Sequence, residues 1–326
     1  MLTVAVMLLF GACAPAMKTS ETFALDTICT QQVTGRSADA AISEVNEMLM
    51  RITKELSTNE GSYIYDINQS APQGASVSGE AAQLVSNALR FAADTDGAFD
   101  PAIGAVSSLW NISESPRVPS PEEIAAALPL VDYRDVTVDG STVTLKKAGI
   151  KLDLGGIGKG HAADLAVEIY KQRGIDNAIL NLGGNVYAYG EKKDGSDYRV
   201  GLRDPLGAEN DYAAIIPVQN TSVVTSGVYE RFFESGGKTY HHLLDPATGY
   251  PADNGLLAVT VVCQSSTEAD ALSTALFVMG LEGGLAYAEQ TPGVEAVFFT
   301  DDQSIYATSG LEDKIEITNE AYTLKS

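Results

Sequence analysis

From Tyr198 onward the chain is written mostly in short apolar runs with two-residue alternation, and one helical stretch interrupts them. The runs are Tyr198–Leu202, Ala213–Val218, Val223–Ser226, His241–Leu244, Leu257–Cys263, Ala296–Phe299 and Ile305–Ala307. The pattern predicts strands, largely antiparallel. The interrupting segment, Glu268 to Met279, follows Ser and Thr caps and ends at Gly280. Upstream the order reverses. Helical periodicity covers Ser37–Ser57, with Ser37 as N-cap, and Ser78–Asp96, with Gly97 just past its end. Ser120-Pro121-Glu122-Glu123 opens a further helix. Val136–Leu145 reads as a hairpin around Asp139-Gly140. A strand at Gly149–Leu154, a helix at Gly160–Arg173 and a strand at Ala178–Leu182 follow. This mixture predicts an α+β fold rather than a regular βαβ array.

Composition narrows the function. Hydrophobic residues make up 45% of the 326, which excludes a disordered chain, and the formal charge is −22. A nucleic-acid binder needs clustered Lys and Arg, so that class is excluded. A phosphate ligand would have to be held locally, by backbone N–H groups, a metal or a single cation. The cysteines are Cys13, Cys29 and Cys263, with no CxxC pair. Met1–Ala12 is apolar but too short to span a bilayer. With Cys13 it resembles a lipoprotein signal, the other reading being an apolar N-terminal strand with a buried free Cys, and Ala14–Thr22 reads as a tether.

Four segments carry candidate chemistry. Leu152–Asp164 (LDLGGIGKGHAAD) runs from a strand through a glycine turn into a helix, a place where backbone N–H groups can meet an anion. It fails the Walker A pattern, since Gly160 follows Lys159. It meets G-x-G-x-x-A at Gly158, Gly160 and Ala163, but the next strand ends without an acid to hold a ribose. A purely structural turn is the other reading. Asp270 and Thr274 are four apart and share a helix face, as hard oxygen ligands suited to Mg²⁺ or as a first-turn cap beside a packed Thr. His241 and His242 lie at adjacent strand positions that face opposite ways, which argues against a shared metal and leaves a proton acceptor or surface histidines. Asp96–Pro101 is a rigid turn in which Phe99 either stacks on an aromatic ligand or enters the core.

Taken in order, GAFDP, LDLGGIGKGHAAD, LNLGGN, TSGVYERFF, HHLLDPATGYP and EADALSTALFVMG resemble the bacterial FAD:protein FMN transferases, the ApbE-type flavin transferases formerly called thiamine biosynthesis lipoproteins. The likeness runs from about Phe23 to the C-terminus. It implies a T-fold-like α+β architecture, with antiparallel sheet and helices in two lobes and the active site between them. It also implies Mg²⁺-dependent transfer of FMN from FAD to a Thr or Ser hydroxyl of an exported flavoprotein, with AMP leaving; some members hydrolyse FAD instead. A non-catalytic, lipid-anchored flavin-binding module is the alternative of a different class.

Residue by residue, the resemblance places the metal at the carbonyl of Gly156 and the side chains of Asp270 and Thr274. It places FAD at Leu25 on the first strand, Ala98, Phe99, Asp100, Asp153, Lys159, the backbone of Leu244, and Ser273. Asn59 stands where many members carry a stacking aromatic, a role open here to Tyr63 or Tyr65. His242 matches the general base. The implied organisation is a signal peptide at 1–12, a tether at 13–22 and a transferase domain at 23–326. A lipid on Cys13 would hold it on the outer face of the cytoplasmic membrane.

Overall fold

The computed structural model describes residues 16–192, 194–208 and 210–325. The segment expected to be a signal peptide, 1–12, and Cys13 lie outside the described residues. A nine-stranded sheet organises the described residues. Its strands are β1 (Met17–Ala24), β2 (Thr27–Thr34), β3 (Asn177–Leu182), β4 (Asn185–Gly190), β5 (Thr221–Gly227), β6 (Leu256–Cys263), β7 (Glu295–Thr300), β8 (Ser304–Ala307) and β9 (Thr323–Lys325). They lie side by side in chain order and pair antiparallel, except for the parallel β8–β9 contact.

Three helices cover one face: α1 (Ala38–Leu56), α6 (Gly158–Gln172) and α7 (Ser266–Gln290). A three-stranded sheet of Tyr198–Arg203, Tyr212–Val218 and Glu316–Ile317 covers the other. β6 shows why its sequence is almost continuously apolar. Ala258 and Val262 pack toward the small sheet, whereas Val259, Val261 and Cys263 pack toward α7. A strand with both faces buried has no need of polar alternation.

Between α1 and α6 the chain builds a second lobe. It contains α2 (Tyr63–Gln69), α3 (Gly79–Asp94), α4 (Gly104–Trp110), α5 (Pro121–Ala127) and the small sheet of Ala75–Ser76, Val136–Asp139 and Thr142–Leu145. The core of this lobe takes in Ala271 and Ala275 of α7. α7 is therefore shared by the two lobes, which puts the seam between them along its length.

Several sequence expectations change. The stretch read as a tether is an edge strand from Met17, paired with β2 and pinned to α1 by Lys18–Asp39 at 3.2 Å and by Asn46 donating to Ser20 at 3.1 Å. The folded unit thus begins before residue 23, because the backbone from Met17 on pairs with β2 in an unbroken antiparallel register while its polar side chains stay largely exposed. Leu25 is not on the first strand but in the β1–β2 turn, with φ +52°. Ser37 precedes α1 without a side-chain cap bond. Residues 149–154 are extended and form only an isolated bridge, Lys151 to Ile103. The strand expected at His241–Leu244 is Lys238–His241, so His242 lies just past its end. α7 does not stop at Gly280. That glycine (φ 75°, ψ 179°) breaks the helix, Asn254 donates to the freed Phe277 carbonyl at 2.7 Å, and the helix resumes to Gln290. α7 is long and apolar enough to cross a membrane, but it is a core helix packed on β5 and β6.

Candidate active site

The glycine turn is built from the inside. Asp153 accepts the Gly155 N–H at 2.9 Å through one oxygen and the Ser107 hydroxyl at 2.8 Å through the other. α6 begins at Gly158 without a side-chain N-cap; the Gly158 N–H is taken instead by the Leu154 carbonyl at 2.9 Å and the His161 N–H by the Ile157 carbonyl at 3.0 Å. Gly160 donates to Asp270 Oδ2 of α7 at 2.8 Å. The two helices come this close only because Gly160 has no side chain: a Cβ there would lie 2.2 Å from the Ser266 carbonyl oxygen and 2.7 Å from Asp270 Cβ. One turn on, Asp164 fixes the start of α7. It accepts the Ser265 hydroxyl (3.0 Å), the Ser266 N–H (2.8 Å), and both the N–H (2.9 Å) and hydroxyl (2.6 Å) of Thr267.

α7 then presents Asp270, Ser273 and Thr274 to the glycine turn. Ser273 gives its proton to the Asp270 carbonyl at 2.9 Å, so its 2.8 Å contact with Ser226 is one in which Ser226 donates. Gly156 faces Thr274: a Cβ on Gly156 would stand 3.3 Å from Thr274 Oγ1 and 3.3 Å from the Phe99 ring. The structure thus brings Gly156, Phe99, Thr274, Gly160, Asp270 and Ser273 together. Asp270 is 4% exposed, and among the described residues no cationic side chain lies within 4.0 Å of it. Burial pushes its carboxyl above the usual range, against the pull of Lys159, the Gly160 N–H and Arg231. A buried carboxylate without a close cation, one helical turn from a Thr hydroxyl that faces the glycine turn, offers hard oxygen donors. That set fits Mg²⁺ and not a soft metal.

His242 lies across from this cluster. Its N–H donates to the Arg231 carbonyl at 3.1 Å, and its Nδ1 is 3.3 Å from the same oxygen. A carbonyl can only accept, so the proton is on Nδ1 and Nε2 keeps a lone pair. Burial, then the nearby Arg231 and Lys159 charges, push the imidazole down to about 3. Arg231 and Lys159 act on both His242 and Asp270, which makes these four residues electrostatic neighbours. His241 turns away, with Nε2 on the Ala252 carbonyl at 3.1 Å and its ring edge-on to Phe277.

The remaining expected residues are placed as follows. Ala98 and Phe99 follow α3 in a tight turn. Both Asp100 oxygens are occupied, by the N–H groups of Ala102 (2.8 Å) and Tyr133 (2.9 Å), and burial pushes its carboxyl up to about 6. Leu25 donates its N–H to Thr53 at 2.9 Å. Asn59 is exposed in the α1–α2 loop, with Tyr63 and Tyr65 half-buried on α2. Leu244 is buried beside Trp110 and bridges to Pro251. Among the described residues no hydrogen bond ties Leu25, Asn59 or Leu244 to the Gly156–Asp270 cluster. Sequence reasoning missed Arg231 and Asp164. Both stand inside quoted motifs, yet their partners lie on other elements.

The profile of the ApbE family matches residues 25–298. The chain belongs to the ApbE family. Within it, a curated relative from Treponema pallidum (strain Nichols), named FAD:protein FMN transferase, is 36% identical over 323 residues, covering 92% of this chain and 89% of that one. Another of the same name from Klebsiella pneumoniae (strain 342) is 37% identical over 276 residues, covering 83% and 85%. Among solved structures, the ApbE protein of Thermotoga maritima superposes with a TM-score of 0.85 at 35% identity, covering 92% of this chain and 99% of that one. The apo flavinyl transferase ApbE of Pseudomonas stutzeri gives 0.81 at 31% identity, covering 94% and 98%. The α+β architecture is shared with these ApbE structures.

Proposed function

We propose that this chain transfers FMN from FAD to a Thr or Ser hydroxyl of an exported flavoprotein and releases AMP, with Mg²⁺ required. The observation that carries the reading is the buried Asp270 carboxylate, which has no close cation and is set beside Thr274 and the glycine turn. Asp270, Thr274 and the Gly156 carbonyl would hold the ion. Bound there, Mg²⁺ would offset the charge that grows on the leaving phosphate.

The chain's own residues do the rest. The acceptor hydroxyl oxygen forms a bond to the FMN-side phosphorus, the bond from that phosphorus to the AMP oxygen breaks, and AMP leaves with the electron pair. The hydroxyl proton passes to Nε2 of His242, whose Nδ1–H is anchored on Arg231. Lys159 at the mouth of α6 adds a positive charge where the diphosphate would lie, in a chain that is otherwise acidic. Phe99, packed beside Gly156 and Thr274, keeps an apolar wall on that side.

The test is incubation with FAD, Mg²⁺ and an FMN-accepting flavoprotein, followed by intact mass measurement. FMN mass added to one Thr or Ser of the acceptor supports the reading. AMP formed at the same rate without acceptor, and no added mass, replaces it with FAD hydrolysis. The lipid anchor belongs to the same proposal: Cys13→Ala should move the protein from membranes to the soluble fraction, and unchanged partition would refute it.

A further inference from the structure

Cations in this chain are mostly committed to nearby acids. Arg51, Arg90, Arg117, Arg134, Arg173 and Arg199 each hold a carboxylate at 2.6–3.4 Å. Arg231 does not. Among the described residues no carboxylate lies within 4.0 Å of its guanidinium, whose recorded partner is the Ser113 hydroxyl at 3.5 Å, too long to hold it firmly. Its backbone, in contrast, is fixed. The turn out of β5 is held by Val228 N–H on the Leu257 carbonyl (3.0 Å) and by Glu230 N–H on the Gly227 carbonyl (3.3 Å). Gly227 permits that turn, since a Cβ there would sit 2.6 Å from the Tyr229 ring. The Arg231 carbonyl then anchors the backbone N–H and Nδ1 of His242. A rigid backbone carrying an uncommitted guanidinium beside the candidate base is an arrangement suited to an anion.

We propose that Arg231 binds the diphosphate of the flavin dinucleotide, as a second cation beside Lys159. The assignment rests on the reading that this site takes FAD. A guanidinium can give two parallel N–H bonds to phosphate oxygens, which an ammonium cannot, so Arg231 would fix the orientation of the diphosphate as well as its charge. The ligand chemistry it recognises is the diphosphate, whichever nucleoside is attached.

Three ligands separate this role from a structural one: FAD, ADP (diphosphate without flavin) and riboflavin (flavin without phosphate). Each is titrated against the full chain by calorimetry, with Mg²⁺ and with EDTA. Arg231→Gln should weaken FAD and ADP by about 10- to 100-fold, the loss expected for a charged hydrogen-bond donor, and leave riboflavin unchanged. Arg231→Lys, which keeps the charge and loses the fork, should recover part of that loss. Unchanged ADP affinity in Arg231→Gln would overturn the assignment. So would an equal loss for riboflavin, which would mark a folding defect, or an Arg231→Lys variant no better than Gln. If the wild-type chain shows the Arg231-dependent ADP binding but transfers no FMN to protein, the transferase reading fails and this assignment stands. A wild-type chain that binds neither FAD nor ADP overturns both.

Discussion

Gly160→Ala tests whether the site depends on two helices touching. The added carbon would lie 2.2 Å from the Ser266 carbonyl oxygen, and ordinary contact begins near 3.4 Å, so α6 and α7 must part by roughly 1.2 Å. Such overpacking costs about 1–3 kcal/mol. Separation also lengthens the 2.8 Å bond from Gly160 to Asp270, and a hydrogen bond to a charged group is worth about 1.5–3 kcal/mol. Ala returns about 1 kcal/mol in helix propensity, which leaves a net loss of about 2–5 kcal/mol. With an unfolding entropy of about 2.1 cal/mol/K per residue, the 326-residue chain has roughly 0.7 kcal/mol/K, so Tm should fall by about 3–7 °C. Transfer should suffer more than stability, because a displacement near 1 Å can cost about 10²-fold in rate. Gly158→Ala is the control. Its Cβ would meet only Leu56 Cδ1 at 3.3 Å, the end of a side chain that can rotate away. Thermal melts and FMN transfer rates on the two variants decide. The reasoning fails if Gly160→Ala melts and transfers like wild type, or if Gly158→Ala is equally damaged.

Asp270→Asn should lose FMN transfer by more than about 10²-fold and lose any Mg²⁺-dependent rise in Tm. The folded carboxyl is held above its unfolded value, so its stabilising contribution is present below the unfolded pKa and is lost as pH rises through the folded one. In EDTA at neutral pH the Asn variant should therefore melt no lower than wild type; a clearly lower Tm contradicts the account. Asp100 follows the same sign with a defined window. Raised to about 6, its contribution of about 3 kcal/mol is lost between roughly pH 4 and 6, so the stability difference between wild type and Asp100→Asn should move in wild type's disfavour across that window. A pH-independent difference would show that the carboxyl titrates normally. His242→Gln should cost about 10²–10⁴-fold in transfer while leaving FAD affinity intact. Desolvation and the neighbouring Arg231 and Lys159 charges hold the imidazole well below its usual range, so wild-type kcat/KM should show no acid limb near 6.5; such a limb would contradict that electrostatic environment.

Local signals in the sequence were legible where the residues that make a feature are neighbours. Ser120 and Glu123 form the capping box that the start of α5 announces, and the Asp139-Gly140 turn closes its hairpin with Gly140 at φ +57°. Gly97 ends α3 with φ +81° and its N–H on Ala92 at 2.8 Å. Ser37 looks the same on paper and caps nothing, because a good cap residue also needs the extended backbone that Ser62, Ser78 and Ser120 have and Ser37 lacks. The tether was misread for a related reason: Lys18 and Ser20 are polar, yet α1 offers them Asp39 and Asn46. In the site, the shared face of Asp270 and Thr274 follows from helical spacing alone. Asp164 and Arg231 were invisible because what they hold lies elsewhere, α7 about a hundred residues on in one case and a histidine across a hairpin in the other.

The charge of the chain makes these local cations matter. At −22 the protein repels a dinucleotide from a distance, but at physiological ionic strength that field decays within about 8 Å. Inside that range the balance belongs to Lys159, Arg231 and the N-terminus of α6, together with the ion that Asp270 is proposed to hold. Long-range repulsion and short-range attraction respond oppositely to salt. Raising salt from low to physiological strength should first speed FAD association by screening the repulsion, whereas a basic, steered binding site would slow from the start. Stopped-flow association rates across that range would separate the two, and a rate that only falls with salt would mean that the distant acids do not set the approach.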